Sequence, residues 1–133
     1  MIAAIADTHA TVWYLFGDTR LSRPAREAFE QSVASGDKVG VSAISLVEMV
    51  YLCEKGRIPA TTLEATLALI HDPERVLVEI PIDHRIVEQM KSIPREQVPD
   101  LPDRVVAATG LQLNVPVISR DARIRASNLK TIW

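Results

Sequence analysis

Ile2-Ala3-Ala4-Ile5-Ala6-Asp7-Thr8 opens with five small or apolar residues and then places a carboxylate. An apolar run this short, without polar alternation, reads as a strand covered on both faces. A helical pattern over 8–16 starts directly behind it and is stopped by Gly17. Strand, acid and helix in that order begin an α/β unit. In open parallel sheets, ligands bind in the crevice outside the strands' carboxyl ends, where Asp7 stands.

The same alternation continues along the chain. Ser22-Arg23-Pro24 starts a helix over 23–35, with proline tolerated in its first turn and Gly36 to close it. Lys38–Ser42 reads as the second strand, 44–55 as a helix ended by Gly56, and 60–71 as a helix that exits at Pro73. Val76–Ile80 is the third strand, closed by Pro81, and 83–92 is helical with Ile86, Val87 and Met90 on one face. A joint carrying Pro94, Pro99 and Pro102 leads into a helix over 103–113. Val115–Ser119 then reads as a fourth strand, Asp121–Ala126 as a short helix and Lys130–Trp133 as a last strand. The pattern predicts an α/β fold with a mostly parallel sheet. With no repeat, low-complexity stretch or linker, it predicts one domain over 1–133.

Composition narrows the function classes. The 133 residues are 47% hydrophobic, too apolar for a disordered chain. The lone cysteine, Cys53, excludes an internal disulfide framework and a Cys-rich zinc module, and suits a reducing compartment. The amino terminus has no basic segment before Asp7, and no apolar run nears the ~20 residues of a membrane span. The expectation is a soluble cytoplasmic protein. Fifteen Lys and Arg against 17 Asp and Glu exclude a wholly basic nucleic-acid binder. They leave room for local basic patches at Arg20, Arg23 and Arg26 and at Arg120, Arg123, Arg125 and Lys130.

The acids carry the chemistry. Asp7 either caps the following helix or faces the crevice at the end of the strand. Glu48 is the only charged residue in Ile44-Ser45-Leu46-Val47-Glu48-Met49-Val50-Tyr51-Leu52-Cys53. A helix apolar on nearly every side reads as buried, and a carboxylate on it must be protonated, ion-paired or bound to a cation. In Asp100-Leu101-Pro102-Asp103 a cap accounts for one acid, with Asp100 the cap and Asp103 in the first turn. Asp121 follows the fourth strand, with Ser119 beside it, and is again a cap or a crevice residue. Carboxylates converging at ~4 Å repel by about 4 kcal/mol per pair at an effective dielectric near 20. Protonation or a hard divalent cation relieves this, and oxygen-only ligands suit Mg²⁺ or Mn²⁺. Such a site favours phosphodiester hydrolysis.

Four segments, in order, resemble the PIN domain and within it the VapC toxins of type II toxin–antitoxin pairs. They are Asp7-Thr8-His9-Ala10; Ser42-Ala43-Ile44-Ser45-Leu46-Val47-Glu48 with Lys55-Gly56-Arg57; Asp100-Leu101-Pro102-Asp103-Arg104 running into Val105-Val106-Ala107-Ala108-Thr109; and Val117-Ile118-Ser119-Arg120-Asp121. The resemblance spans essentially the whole chain. It implies a three-layer α/β/α sandwich, a Mg²⁺- or Mn²⁺-dependent endoribonuclease, an RNA substrate, neutralisation by a small antitoxin and a homodimer. It makes Asp7, Glu48, Asp103 and Asp121 the acidic quartet that holds metal and orients water, with Thr8 and Ser119 supporting and Asp100 a further candidate ligand. The histidine and basic residue that often precede the third segment are replaced by Val98 and Pro99, which bears on substrate positioning. The alternative is a catalytically silent PIN-fold scaffold or binding module whose acids are caps.

The other residues have plainer readings. Arg104 pairs with an acid or reaches the scissile phosphate, and Arg120, Arg123 and Arg125 are RNA-phosphate candidates. Trp13 and Tyr14 are candidates to stack RNA bases or line a dimer contact, with core packing the better reading for Trp13. His9 is a packing neighbour of the first helix, His71 and His84 are surface residues, and Cys53 is buried and inert. A haloacid-dehalogenase-type phosphatase needs a second acid where His9 stands, and a receiver domain needs paired acids that Asp7 lacks.

Overall fold

The five strands line up as β3-β2-β1-β4-β5, every pairing parallel, in the computed structural model of residues 1–133. In chain order the elements are β1 (Ile2–Ala6), α1 (Thr8–Leu15), α2 (Arg23–Ser35), β2 (Lys38–Ser42), α3 (Ala43–Glu54), α4 (Thr62–His71) and β3 (Leu77–Ile80). Then come α5 (His84–Met90), α6 (Leu101–Leu113), β4 (Val117–Ile118), α7 (Ala122–Ala126) and β5 (Thr131–Ile132). The strands expected from the sequence are all present, and the fourth and fifth are shorter than the apolar runs suggested.

Alternation along β1 divides the core. Ala4 and Ala6 face one layer with Val39, Val41, Leu77 and Ile118, against Trp13, Leu21 and Phe29. Ile5 points the other way with Val117, against Ile86, Val105, Val106 and Ile124 of α5, α6 and α7. Side chains that switch face at every residue require helices on both sides of the sheet. The result is the three-layer α/β/α sandwich. Phe29 is fully buried and stacks on Tyr14 with centroids 4.1 Å apart. Burying a ring of this size is worth about 1.5–3 kcal/mol. Tyr14 is thus held by Phe29, and neither base stacking nor a dimer contact is needed to explain it.

Local chemistry sets the helix ends. Ser22 Oγ accepts from the Ala25 amide at 3.2 Å, Pro24 sits in the first turn, and Gly36 closes α2 at φ 74°. Gly110 lets α6 lie close on the sheet, since a Cβ there would meet Val117 Cγ2 at 2.6 Å. That approach fixes the height of α6, and hence of Asp103, above β4.

Two expectations change here. The apolar helix α3 is not buried all round: Ser45 and Met49 face inward, while Val47, Val50 and Tyr51 are exposed. Its uniform apolarity masked an outer face. Cys53 is half-buried, its thiol 3.4 Å from the Pro59 carbonyl, because it stands in the last turn of α3, ahead of the turns that lead to α4. His71 and His84 are exposed, as expected.

Candidate active site

Strand order picks out one crevice. The chain runs outward from β1 through β2 to β3, then returns across the sheet to β4 on the other side of β1. The connections diverge between the carboxyl ends of β1 and β4, the switch point at which open α/β sheets bind ligands. Asp7 follows β1 there, and Ser119, Arg120 and Asp121 follow β4. A cleft of about 390 Å³ opens at this point, lined by Asp7, Thr8, His9, Trp13, Glu48, Asp100, Asp103, Arg120 and Asp121. A second cavity, of about 640 Å³, lies at the opposite end of the strands, around Lys38 and Val76, and holds no cluster of acids.

Asp7 and Asp121 each do two things. Asp7 Oδ1 accepts from the Ala10 amide at 2.8 Å and so caps α1. Asp121 Oδ1 accepts from the Arg123 and Ile124 amides at 2.9 and 3.1 Å and caps α7. In each carboxylate the cap occupies Oδ1 alone, so cap and crevice residue are roles of two different oxygens. The cap also fixes the carboxylate's rotamer at the cleft wall, where both residues lie. Ser119 Oγ accepts from the Asp121 amide at 3.0 Å, which sets the turn between β4 and α7.

Glu48 and Asp103 come from helix sides. Glu48 lies one turn into α3, behind a start capped by Ser42, whose Oγ accepts from the Ile44 amide at 3.2 Å. One turn before Glu48 on the same face, Ser45 accepts a buried hydrogen bond of 3.0 Å from the Thr8 hydroxyl. That bond ties the start of α1 to α3 and brings Glu48 up beside Asp7. Ser45 was not singled out from the sequence, although its spacing to Glu48 carried the signal. Helix α6 starts at Leu101, two residues before the expected start, which puts Asp103 in its first turn. Asp100 makes no side-chain cap bond, contrary to expectation, so a cap accounts for neither acid of this loop. The exposed Asp100 and half-buried Asp103 both line the cleft.

The electrostatics follow from this crowding. Burial is the largest cause pushing Asp7 above its ordinary value; the Ser119 hydroxyl, the Ala10 amide and His9 offset part of it, and Asp121 adds to it. Asp103 is pushed up to about 7, first by burial, then by the charges of Asp121, Asp100, Asp7 and Glu48. None of the five acids is ion-paired to a Lys or Arg. Nor do three of them converge closely enough to form a ready-made coordination sphere. The cleft concentrates negative charge around space, a surplus that a cation would relieve.

The basic candidates separate. Arg104 donates from Nε to the Ile93 carbonyl at 3.1 Å and from Nη2 to the Met90 carbonyl at 2.9 Å. It straps the end of α5 to α6 and forms no ion pair with an acid, so that part of the expectation is corrected, and two of its donor nitrogens are engaged by backbone. Arg123 and Arg125 are exposed on α7 and do not line the cleft. Arg120 does line it, with Cζ 5.8 Å from the centroid of Trp13. Trp13, only 7% exposed, is both core and cleft wall, with the His9 and Trp133 rings each 5.7 Å away. His9 is exposed at the rim and packs on Trp13.

Residues 4–128 match the sequence profile of the PIN domain. The chain belongs to the PIN domain family. Among curated relatives, Ribonuclease VapC22 of Mycobacterium tuberculosis is 25% identical over 136 residues, covering 100% of both chains. Among solved structures, the DNA-bound VapBC of Salmonella typhimurium aligns with a TM-score of 0.72 at 17% identity, covering 98% of this chain and 97% of that one. VapBC2 of Rickettsia felis, bound to a DNA fragment from its promoter, aligns at 0.70 and 14% identity with the same coverage. These likenesses share the PIN sandwich from end to end. No helix is long and apolar enough to cross a membrane.

Proposed function

We propose that this PIN-domain chain is a Mg²⁺- or Mn²⁺-dependent endoribonuclease acting in the cytoplasm as the toxin of a type II toxin–antitoxin pair, neutralised by a small antitoxin. The observation that carries the nuclease reading is the cleft at the switch point: five carboxylates without an ion-pair partner, one of them raised to about 7 by burial and by the other four. The full-length likeness to a protein named as a ribonuclease of the VapC group supports the substrate class and the toxin role. The donor set fits a hard cation, since the five acids offer oxygens only, no Cys lines the cleft, and the one imidazole there, His9, packs on Trp13. Asp7, Glu48, Asp103 and Asp121 would hold it, with Asp100 a fifth carboxylate within reach of the same space. A divalent ion held there would supply a Lewis acid for a phosphoryl oxygen and for the attacking water.

The chain's own groups supply the rest. Asp7 and Asp121 are held in place by their caps, and the other acids draw in toward them to complete the shell around the ion. Glu48 and Asp103 approach from helices on either side of that pair and can take the proton of the attacking water. Thr8, through Ser45, holds α1 and α3 at a fixed distance, and Ser119 keeps the β4–α7 turn in place. Hydrolysis then joins the water oxygen to phosphorus and releases the ester oxygen with a proton. The exposed Val47, Val50 and Tyr51 of α3 support a homodimer through that helix.

The test is cleavage of a mixed RNA pool by the unmodified chain and Asp7→Asn, with Mg²⁺, Mn²⁺ or EDTA. Cleavage that needs metal and disappears in Asp7→Asn is expected. Equal activity in both proteins removes Asp7 from the reaction. A folded protein that neither cleaves RNA nor binds Mn²⁺ favours the silent-scaffold reading.

A further inference from the structure

Two arginines lie over Trp13, only one of them lining the cleft, and they are not equivalent. Arg20 Cζ lies 5.1 Å from the Trp13 centroid, but its guanidinium is already taken. Nε and Nη2 donate to Asp18 Oδ1 and Oδ2 at 3.1 and 2.8 Å, so its charge is neutralised in a fork. Arg120 stands over the same ring and lines the cleft, yet its side chain makes no hydrogen bond within the chain and no ion pair. Its neighbour in sequence is Asp121, whose Oδ1 is turned to the α7 cap. A guanidinium held against an aromatic face keeps its donors directed outward and loses little freedom on meeting an anion. Trp13 is too buried to stack a base itself. It acts as a floor for the cation.

Resting on the nuclease reading above, we propose that Arg120, laid on Trp13 beside the acidic cleft, grips the RNA backbone phosphate adjacent to the bond being cut. Arg20 is not a second grip; it packs Trp13 in place from the Asp18 side. The cleft then has two walls: carboxylates where the scissile phosphate meets the ion, and one unneutralised cation where its neighbour lands. A phosphate gripped there fixes how far along the strand the RNA sits, which makes Arg120 a substrate-positioning residue. It needs no contact with the attacking water.

The experiment measures the affinity of a labelled single-stranded RNA across a salt series with Mg²⁺ fixed, in an Asp7→Asn background that blocks cleavage. One phosphate contact on a single strand contributes about 0.7 to the slope of log K against log salt. Arg120→Gln is expected to lower the slope by about that amount and weaken binding roughly 5–10-fold at low salt. Arg120→Lys keeps the slope, because the charge remains, but lowers kcat/KM in an otherwise unmodified chain because the planar fork is gone. Arg20→Gln leaves the slope unchanged. An Arg120→Gln slope equal to its parent's overturns the proposal, as does an equal loss from Arg20→Gln. Cleavage by the unmodified chain on the same RNA reports separately. If it cleaves and the Arg120 slope is unmoved, only the grip is wrong; if it neither binds nor cleaves RNA, the nuclease reading falls too.

Discussion

Asp103→Asn should make the ion-free protein more stable, and only above a certain pH. The Asp103 carboxyl stands near 7 in the folded chain against an ordinary value of 3.8. Between those limits the folded state keeps a proton that the unfolded state has given up. Asp103 therefore favours folding fully below about pH 4, and the advantage is lost as pH rises through about 7. By linkage three pK units correspond to about 4 kcal/mol. Asp103 is only half-buried, so solvent screening reduces this to about 1–2 kcal/mol. The amide cannot ionise, so near pH 8 without divalent ions Asp103→Asn should exceed the unmodified chain by that amount, or roughly 3–10 °C in Tm. Near pH 4 the two should coincide. If the proposed ion binds there, added Mg²⁺ should reverse the order at pH 8: an ion bound only to the folded state adds about 2.7 kcal/mol at one hundred times its Kd, and the amide is a poorer ligand. Thermal melts at both pH values, with EDTA and with Mg²⁺, check this. A variant equally stable to its parent at pH 8 in EDTA, or a difference that ignores pH, would refute the argument that like-charge crowding and burial raise this carboxyl.

Other consequences follow from single contacts. Gly110→Ala should cost about 1–3 kcal/mol by overpacking against Val117 and lower kcat by displacing α6 and Asp103, read by denaturant melts beside a cleavage assay. Arg104→Gln should lose about 1.5–3 kcal/mol of stability from two charge-assisted bonds to carbonyls while the salt dependence of RNA affinity stays put; a reduced slope would return Arg104 to the substrate. Thr8→Val should cost about 1–3 kcal/mol by leaving the buried Ser45 hydroxyl without its donor, and reduce cleavage through Glu48. Restored activity in Thr8→Ser would show that the hydroxyl, and not the methyl, carries the effect.

The strands were readable because each is a short apolar run covered on both faces, and acids or prolines mark where several of them end. Their spatial order was not. Parallel strands buried on both faces look alike to the chain, and nothing in Ile2–Ala6 says that β1 lies between β2 and β4. The placement of Arg104 was hidden for a related reason. Its partners are the backbone carbonyls of Met90 and Ile93, and carbonyls leave no mark in a sequence. Helix α3 misled in the opposite direction. Uniform apolarity means burial only if every face is covered, and Val47, Val50 and Tyr51 are left exposed in this chain.

The acids show most clearly what a sequence can and cannot separate. From residue order alone, Asp7 and Asp121 each had to be either a cap or a crevice residue. A carboxylate has two oxygens, however, and in both residues the helix uses Oδ1 only. The cap is thus part of how the site is built. It supplies the amide bonds that hold a charged group against its neighbours, and it leaves the remaining oxygen's direction determined by the helix start. An Asp7→Asn or Asp121→Asn chain keeps an acceptor for the cap and should keep its helix, while losing the charge on the other atom. Truncation to alanine removes both at a cost of about 1 kcal/mol for the cap. Cleavage lost equally in the asparagine and alanine variants, with stability lost only in the alanine ones, is the pattern that two oxygens with two duties require. Stability lost to the same extent in both would mean that the charge itself, and not the acceptor, holds the helix start.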